Sequence, residues 1–135
     1  MNPIIHGTQT KEKWRDGVVT RMRVSELTGS KALCIFEQWC APGTGAPLHT
    51  HTVEEVLSVI NGKVEIRLGD RITTLTQNES VVVPAGQVHG FSNIGHQELH
   101  MQAILASGHF EANPSPEGQP VVRWRSAGPD RGHSL

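Results

Sequence analysis

Apolar and polar positions alternate in short runs along this chain. In 63–68, Val64, Ile66 and Leu68 are separated by Lys63, Glu65 and Arg67. A period of two places the apolar set on one face of an extended strand and the charged set on the other. Residues 18–25, VVTRMRVS, alternate in the same manner. Further strands are predicted over 31–41, 48–51, 55–60, 72–75, 79–83, 89–92 and 98–106. Turn signals stand between them: Asn61-Gly62, Gly69-Asp70, Pro84-Ala85-Gly86 and 93–96, with 42–47 as a loop. Asn-Gly between two strand-like runs is the strongest short hairpin signal. No long stretch shows a 3.6-residue period, so helices should be few and short. Short strands at regular spacing predict an all-β sandwich or barrel.

The flanks read differently. Residues 1–16 are polar and predict a loose arm, so that an arm of 1–17 precedes a barrel of 18–110. After Phe110 the composition shifts to NPSPEGQP, which opens a tail over 111–135. Within it, 121–125 (VVRWR) is strand-like and is expected to dock on a sheet edge, in this chain or in a second subunit. Arm and tail both need an edge to pair with, so a homodimer is expected. In 98–106, Leu99, Met101 and Ala103 alternate with His100 and Gln102. The apolar set is the inward choice, which leaves His100 on the outer face.

The chain has 135 residues, 14 of them glycine and 8 proline, and a formal net charge of −1. This length supports one core without disulfides. Near-neutral charge sets aside nonspecific nucleic-acid binding, which needs a basic footprint. Lys11, Lys13, Arg15, Arg21 and Arg23 are interleaved with Glu12 and Asp16 and read as a solvated strand face. No apolar run approaches the ~20 residues of a membrane span. The first residues show no apolar signal core, so a cytoplasmic location is expected. Cys34 and Cys40 lie six residues apart in one predicted strand. That separation is roughly 20 Å, too far for a disulfide, and buried free thiols are expected.

Eight histidines are many for this length. His6, His96, His100, His109 and His133 are scattered, whereas His49 and His51 flank a single residue. At i and i+2 of a strand, both imidazoles share a face and can converge on one ion. Glu55 follows four residues later, after a break that can turn the chain back, and its carboxylate comes from the next strand. His89, just past Pro84-Ala85-Gly86, starts a strand able to run beside the histidine pair. Three imidazoles and one carboxylate suit Fe(II), Mn(II), Ni(II), Zn(II) or Cu(II), and ligand type does not choose among them. Such a set leaves positions open for water or substrate.

The spacing closely resembles the cupin superfamily. Its first motif is met by Gly43, five residues, His49-Thr50-His51, three residues, Glu55, six residues and Gly62. Its second is met by Pro84-Ala85-Gly86, two residues, His89, three residues and Asn93, with Asn78 in place of the leading glycine. Asn is the next best residue where a turn needs positive φ. Spacing to Gly62 favours Glu55 over Glu54 as the carboxylate, and alternation then turns Glu54 outward. The resemblance implies a single antiparallel double-sheet jelly-roll barrel with metal ligands at His49, His51, Glu55 and His89. Asn93 is expected to bond a turn, and Phe91, on the face of His89, to line the pocket.

Fold does not fix function. The resemblance implies a metal-dependent enzyme acting on a small organic molecule, of dioxygenase, isomerase, decarboxylase or lyase type. The alternative is a small-molecule-binding or sensory module without turnover; a storage role fits one barrel with a full ligand set poorly. No general base is visible outside the ligand set, so Glu55 itself is the catalytic candidate. The chain has no tyrosine to supply a phenolic acid or base.

Overall fold

The computed structural model describes residues 1–127, and there the alternating runs become strands. In chain order these are β1 (Glu12–Arg15), β2 (Val18–Val24), β3 (Cys34–Cys40), β4 (Gly45–Thr50), β5 (Glu55–Asn61) and β6 (Lys63–Leu68). They continue with β7 (Arg71–Thr76), β8 (Ser80–Val83), β9 (His89–Asn93), β10 (Leu99–Leu105), β11 (Phe110–Pro114) and β12 (Val121–Arg123). The helices among the described residues are two single 3₁₀ turns, His6–Thr8 and Glu26–Thr28.

The strands form two six-stranded sheets, ordered β1-β2-β3-β10-β5-β8 and β12-β11-β4-β9-β6-β7. All pairings are antiparallel. Sequence neighbours β3, β4 and β5 alternate between the sheets, as do β8, β9 and β10. That crossing makes the double sheet a jelly roll.

Strand parity fills the space between the sheets. On β10, Leu99, Met101, Ala103 and Leu105 are fully buried, with His100, Gln102 and Ile104 half-buried between them. Val64 and Ile66 of β6 and Leu57 and Val59 of β5 meet them in one core. Each such aliphatic side chain contributes about 1.5–3 kcal/mol by leaving water. Parity also carries Glu55 inward with Leu57 and Val59, and leaves Glu54 exposed. Cys34 and Cys40 lie on the inward face of β3 as free, buried thiols. Burial pushes their thiols up, to about 12 for Cys34 and about 11 for Cys40.

His100 stands on the outer face, yet it is not free in solvent. Its ring stacks on Trp39, centroids 4.7 Å apart, and its Nε2 lies 3.0 Å from Glu37 Oε1. Glu37 also takes a bond from Arg21 Nε at 2.9 Å, and Arg23 bonds Gln102 at 2.7 Å. Of the basic residues read as a solvated face, Arg21 and Arg23 instead join a packed polar layer around one buried carboxylate, while Lys13 is exposed. Burial works to raise the Glu37 pKa, but the Arg21 guanidinium and the His100 ring hold it below the usual carboxylate range.

The sheets continue past both ends of 18–110. Residues 12–15, expected in a loose arm, pair with β2 as an edge strand. The turn between them is Asp16-Gly17, with Gly17 at φ 78°. Asp-Gly is itself a hairpin signal, and it escapes notice because the run before it is polar. At the other end, β11 pairs with β4 and β12 pairs with β11. Arm and tail thus find their sheet edges within one chain, and that ground for a second subunit falls away. The last part of the tail, 128–135 with His133, lies outside the described residues.

Two turn positions show why the chain carries the residues it does. Asn78 holds φ at 67°, the left-handed turn expected from its place in the second motif. At Gly45 the backbone of β4 runs against β9 so closely that a Cβ would collide with the Phe91 carbonyl. No helix among the described residues is long and apolar enough to cross a membrane.

Candidate metal centre

His49, His51, Glu55 and His89 come together at one point, one donor atom from each lying within 4.8 Å of the others. His49 is on β4 and His51 just past its end, while His89 begins β9 in the same sheet. Glu55 begins β5, in the opposite sheet. It does not sit on a strand paired with the histidines; the turn at 51–54 carries the chain across the barrel, so the site straddles the sheets. Inward parity then aims the carboxylate at the rings.

Each imidazole is oriented by the main chain. Nδ1 of His49 donates to Pro47 O at 2.6 Å, that of His51 to Glu111 O at 2.8 Å and that of His89 to Gln87 O at 2.8 Å. A proton on Nδ1 leaves the Nε2 lone pair for a ligand role, and this bond to a carbonyl is how metal-binding histidines are commonly held. Such a partner for His51, a carbonyl sixty residues on, has no local sequence signal.

The centre is dry and its charges are coupled. His51, Glu55 and His89 are 2%, 3% and 1% exposed. Glu55 Oε1 lies 3.0 Å from His89 Nε2 and 3.4 Å from His51 Nε2. Burial alone would raise Glu55, but the two rings hold its carboxyl well below the usual range, so it is ionised at neutral pH. Burial, reinforced by the neighbouring His89, drops His49 to about 4, so its ring is neutral. Burial lowers the His51 pKa too, but the Glu55 carboxylate outweighs it and the net shift is upward.

A divalent cation fits these residues. Among the described residues His51 Nε2 is buried and makes no well-formed hydrogen bond, with only the Glu55 carboxylate near it at 3.4 Å. Leaving such an atom unpaired is costly in a protein interior. Four bonds of ~2.1 Å require donors within roughly 4 Å of one another, so a small inward rotation of the side chains closes the set around one ion.

A cavity of about 80 Å³ opens beside the centre. His49 and Glu55 line it, with Phe91 as expected from its place beside His89. Trp14, Phe36 and Phe110 make an aromatic wall, with Trp14 and Phe110 edge to face at 4.9 Å. Arg15 and Gln38 add polar groups. Sequence reasoning missed Trp14 and Arg15 because it left their segment unpaired. The ladder between β1 and β2 shifts register between Lys13 and Arg15, which breaks simple alternation there. Asn93, 2% exposed, bonds the carbonyls of Cys40 and Gln97, both at 2.9 Å, and accepts from Gly95 N. It pins the turn after β9.

Comparison with known proteins agrees with this geometry. A family model described as a cupin domain matches residues 37–105. Auxin-binding protein 1 of Arabidopsis thaliana is 29% identical over 91 residues, 61% of this chain. The match spans 46% of that protein, so the chain corresponds to about half of its length. KdgF from Halomonas sp. superposes with a TM-score of 0.68 at 15% identity, over 78% of this chain and 94% of that one. Oxalate decarboxylase of Lactobacillus farciminis, solved as a formate complex, gives 0.73 at 14% identity, over 81% of this chain and 34% of that one. At these identities the two structures speak to the fold.

Proposed function

The chain belongs to the cupin-domain family, and from that premise we propose that it is a metal-dependent enzyme acting on a small organic molecule held in the cavity beside the centre. One observation carries the proposal: three main-chain-oriented imidazoles and an ionised carboxylate share one point, from which His49 and Glu55 face the cavity. His49, His51, Glu55 and His89 hold one divalent transition-metal ion. When bound, that ion supplies Lewis acidity toward a substrate oxygen or a site for dioxygen. The protein's part is to position and to exclude water. The aromatic wall shields the reacting face, and the Nδ1 bonds keep the rings aimed. Glu55 is the only carboxylate among the described residues that line the cavity, and to move a proton there it would have to swing off the ion.

The similarity to a protein named for binding auxin favours a second reading, in which the cavity holds its ligand without turnover. Elemental analysis of freshly purified protein, paired with oxygen uptake and product analysis over small ketones, enols and catechols, separates the two. One equivalent of metal per chain with product formed supports the enzyme. Metal with saturable binding and no product supports the binding module. Absence of metal overturns the ligand assignment.

A further inference from the structure

Among the residues lining the cavity, the charged groups are Arg15 and the centre's own Glu55. Glu55 turns its Oε1 to His51 and His89. Arg15 has no such partner. Its Nη1 donates to Gly45 O at 2.8 Å, and it forms no ion pair among the described residues. The neighbouring cation Arg123 has Glu12 at 3.5 Å. A guanidinium carries five N–H donors in a planar fork that matches a carboxylate. Holding it half-buried without a counter-ion is unfavourable unless an anion completes it. The groups around it are flat and apolar: Trp14 lies 5.3 Å from its guanidinium carbon, and Phe36, Phe91 and Phe110 line the same space.

We propose that Arg15 is the specificity-determining anchor of this cavity, and that the ligand is an organic carboxylate with a planar apolar body. The carboxylate pairs with the Arg15 fork, and the body lies against the aromatic wall with its far end toward the histidines. The proposal rests on reading the cavity as a small-molecule site and deepens it by naming the class. Arg15 comes from β1, outside the segment 37–105 that matches the family. The anchor therefore belongs to this chain's own edge strand.

Benzoate and its neutral isostere benzamide test this, with binding read by calorimetry and by quenching of tryptophan fluorescence. The wild-type protein is expected to bind benzoate well ahead of benzamide. Arg15→Gln is expected to weaken benzoate by about 10- to 100-fold and to weaken benzamide far less. Arg15→Lys, which keeps the charge and loses the fork, should recover part of the loss. Metal content of Arg15→Gln, measured alongside, should equal that of the wild type. Equal binding of benzoate and benzamide by the wild type overturns the proposal, and needs no variant to fold. Unchanged benzoate affinity in a folded Arg15→Gln overturns it as well. A wild type without metal that still prefers benzoate, and loses the preference in Arg15→Gln, overturns the metal centre and upholds the anchor.

Discussion

His49 and His89 are direct cross-strand partners of β4 and β9, and their ring centroids lie 4.2 Å apart. The register of one antiparallel ladder thus sets the distance between two clustered histidines forty residues apart in sequence. A one-residue slip would turn one ring to the other face of the sheet.

That dependence makes Gly45 a sensitive point. A Cβ there meets the Phe91 carbonyl on the strand that carries His89. Gly45→Ala is expected to displace β4 from β9, costing about 1–3 kcal/mol and weakening metal binding. Urea unfolding and metal titration of the variant check both. Wild-type values in both would mean that the ladder does not set the site.

His51→Ala should leave a folded barrel and remove the metal, because the core is apolar and continuous without that ring. A ligand held at a hundredfold its Kd stabilises by about 2.7 kcal/mol. Chelation of the wild type should therefore lower Tm by on the order of 10 °C. The same chelator should not move the Tm of His51→Ala.

How far the sequence predicts the site depends on whether each relation is local. His49 and His51 share a face by strand parity, and Glu55 is inward by the same parity, so these were legible from spacing. Asn78 declared its positive φ through its residue type and position. The opposite-sheet origin of Glu55 was not legible, since β5 pairs with β10 and β8 rather than with β4. Nor was Arg15, whose place depends on a register shift in a polar edge strand. The Glu37 layer stayed hidden because alternation says which face a residue takes, not what covers it there.

Glu37 gives the fold an acid-side pH dependence. Its carboxyl is held below the usual range by Arg21 and His100, so its contribution to stability is complete above the unfolded-state pKa and is lost as pH falls through the folded one. Glu37→Gln should lose about 1–3 kcal/mol at pH 7. The gap between wild type and variant should begin to narrow below about pH 4 and close as pH falls through the lower folded-state value. Denaturant unfolding at a series of pH values measures it; a gap that does not change with pH would refute the assignment.

Cys34 and Cys40 should be inert in the native protein. Both are fully buried, and burial keeps both thiols protonated far above neutral pH. Dithionitrobenzoate is expected to react with neither at pH 8 and with both in guanidinium. Rapid reaction of a thiol in the native state would contradict their placement.

The three ring protons at the centre are all accepted by peptide oxygens, those of Pro47, Gln87 and Glu111. A peptide oxygen survives any point substitution at its own residue. The basicity of the imidazoles is in that way insulated from mutation, while Trp14, Arg15 and Gln38 line the cavity apart from those bonds. A substitution on the cavity wall can therefore change what the chain recognises without loosening the hold on its three clustered rings.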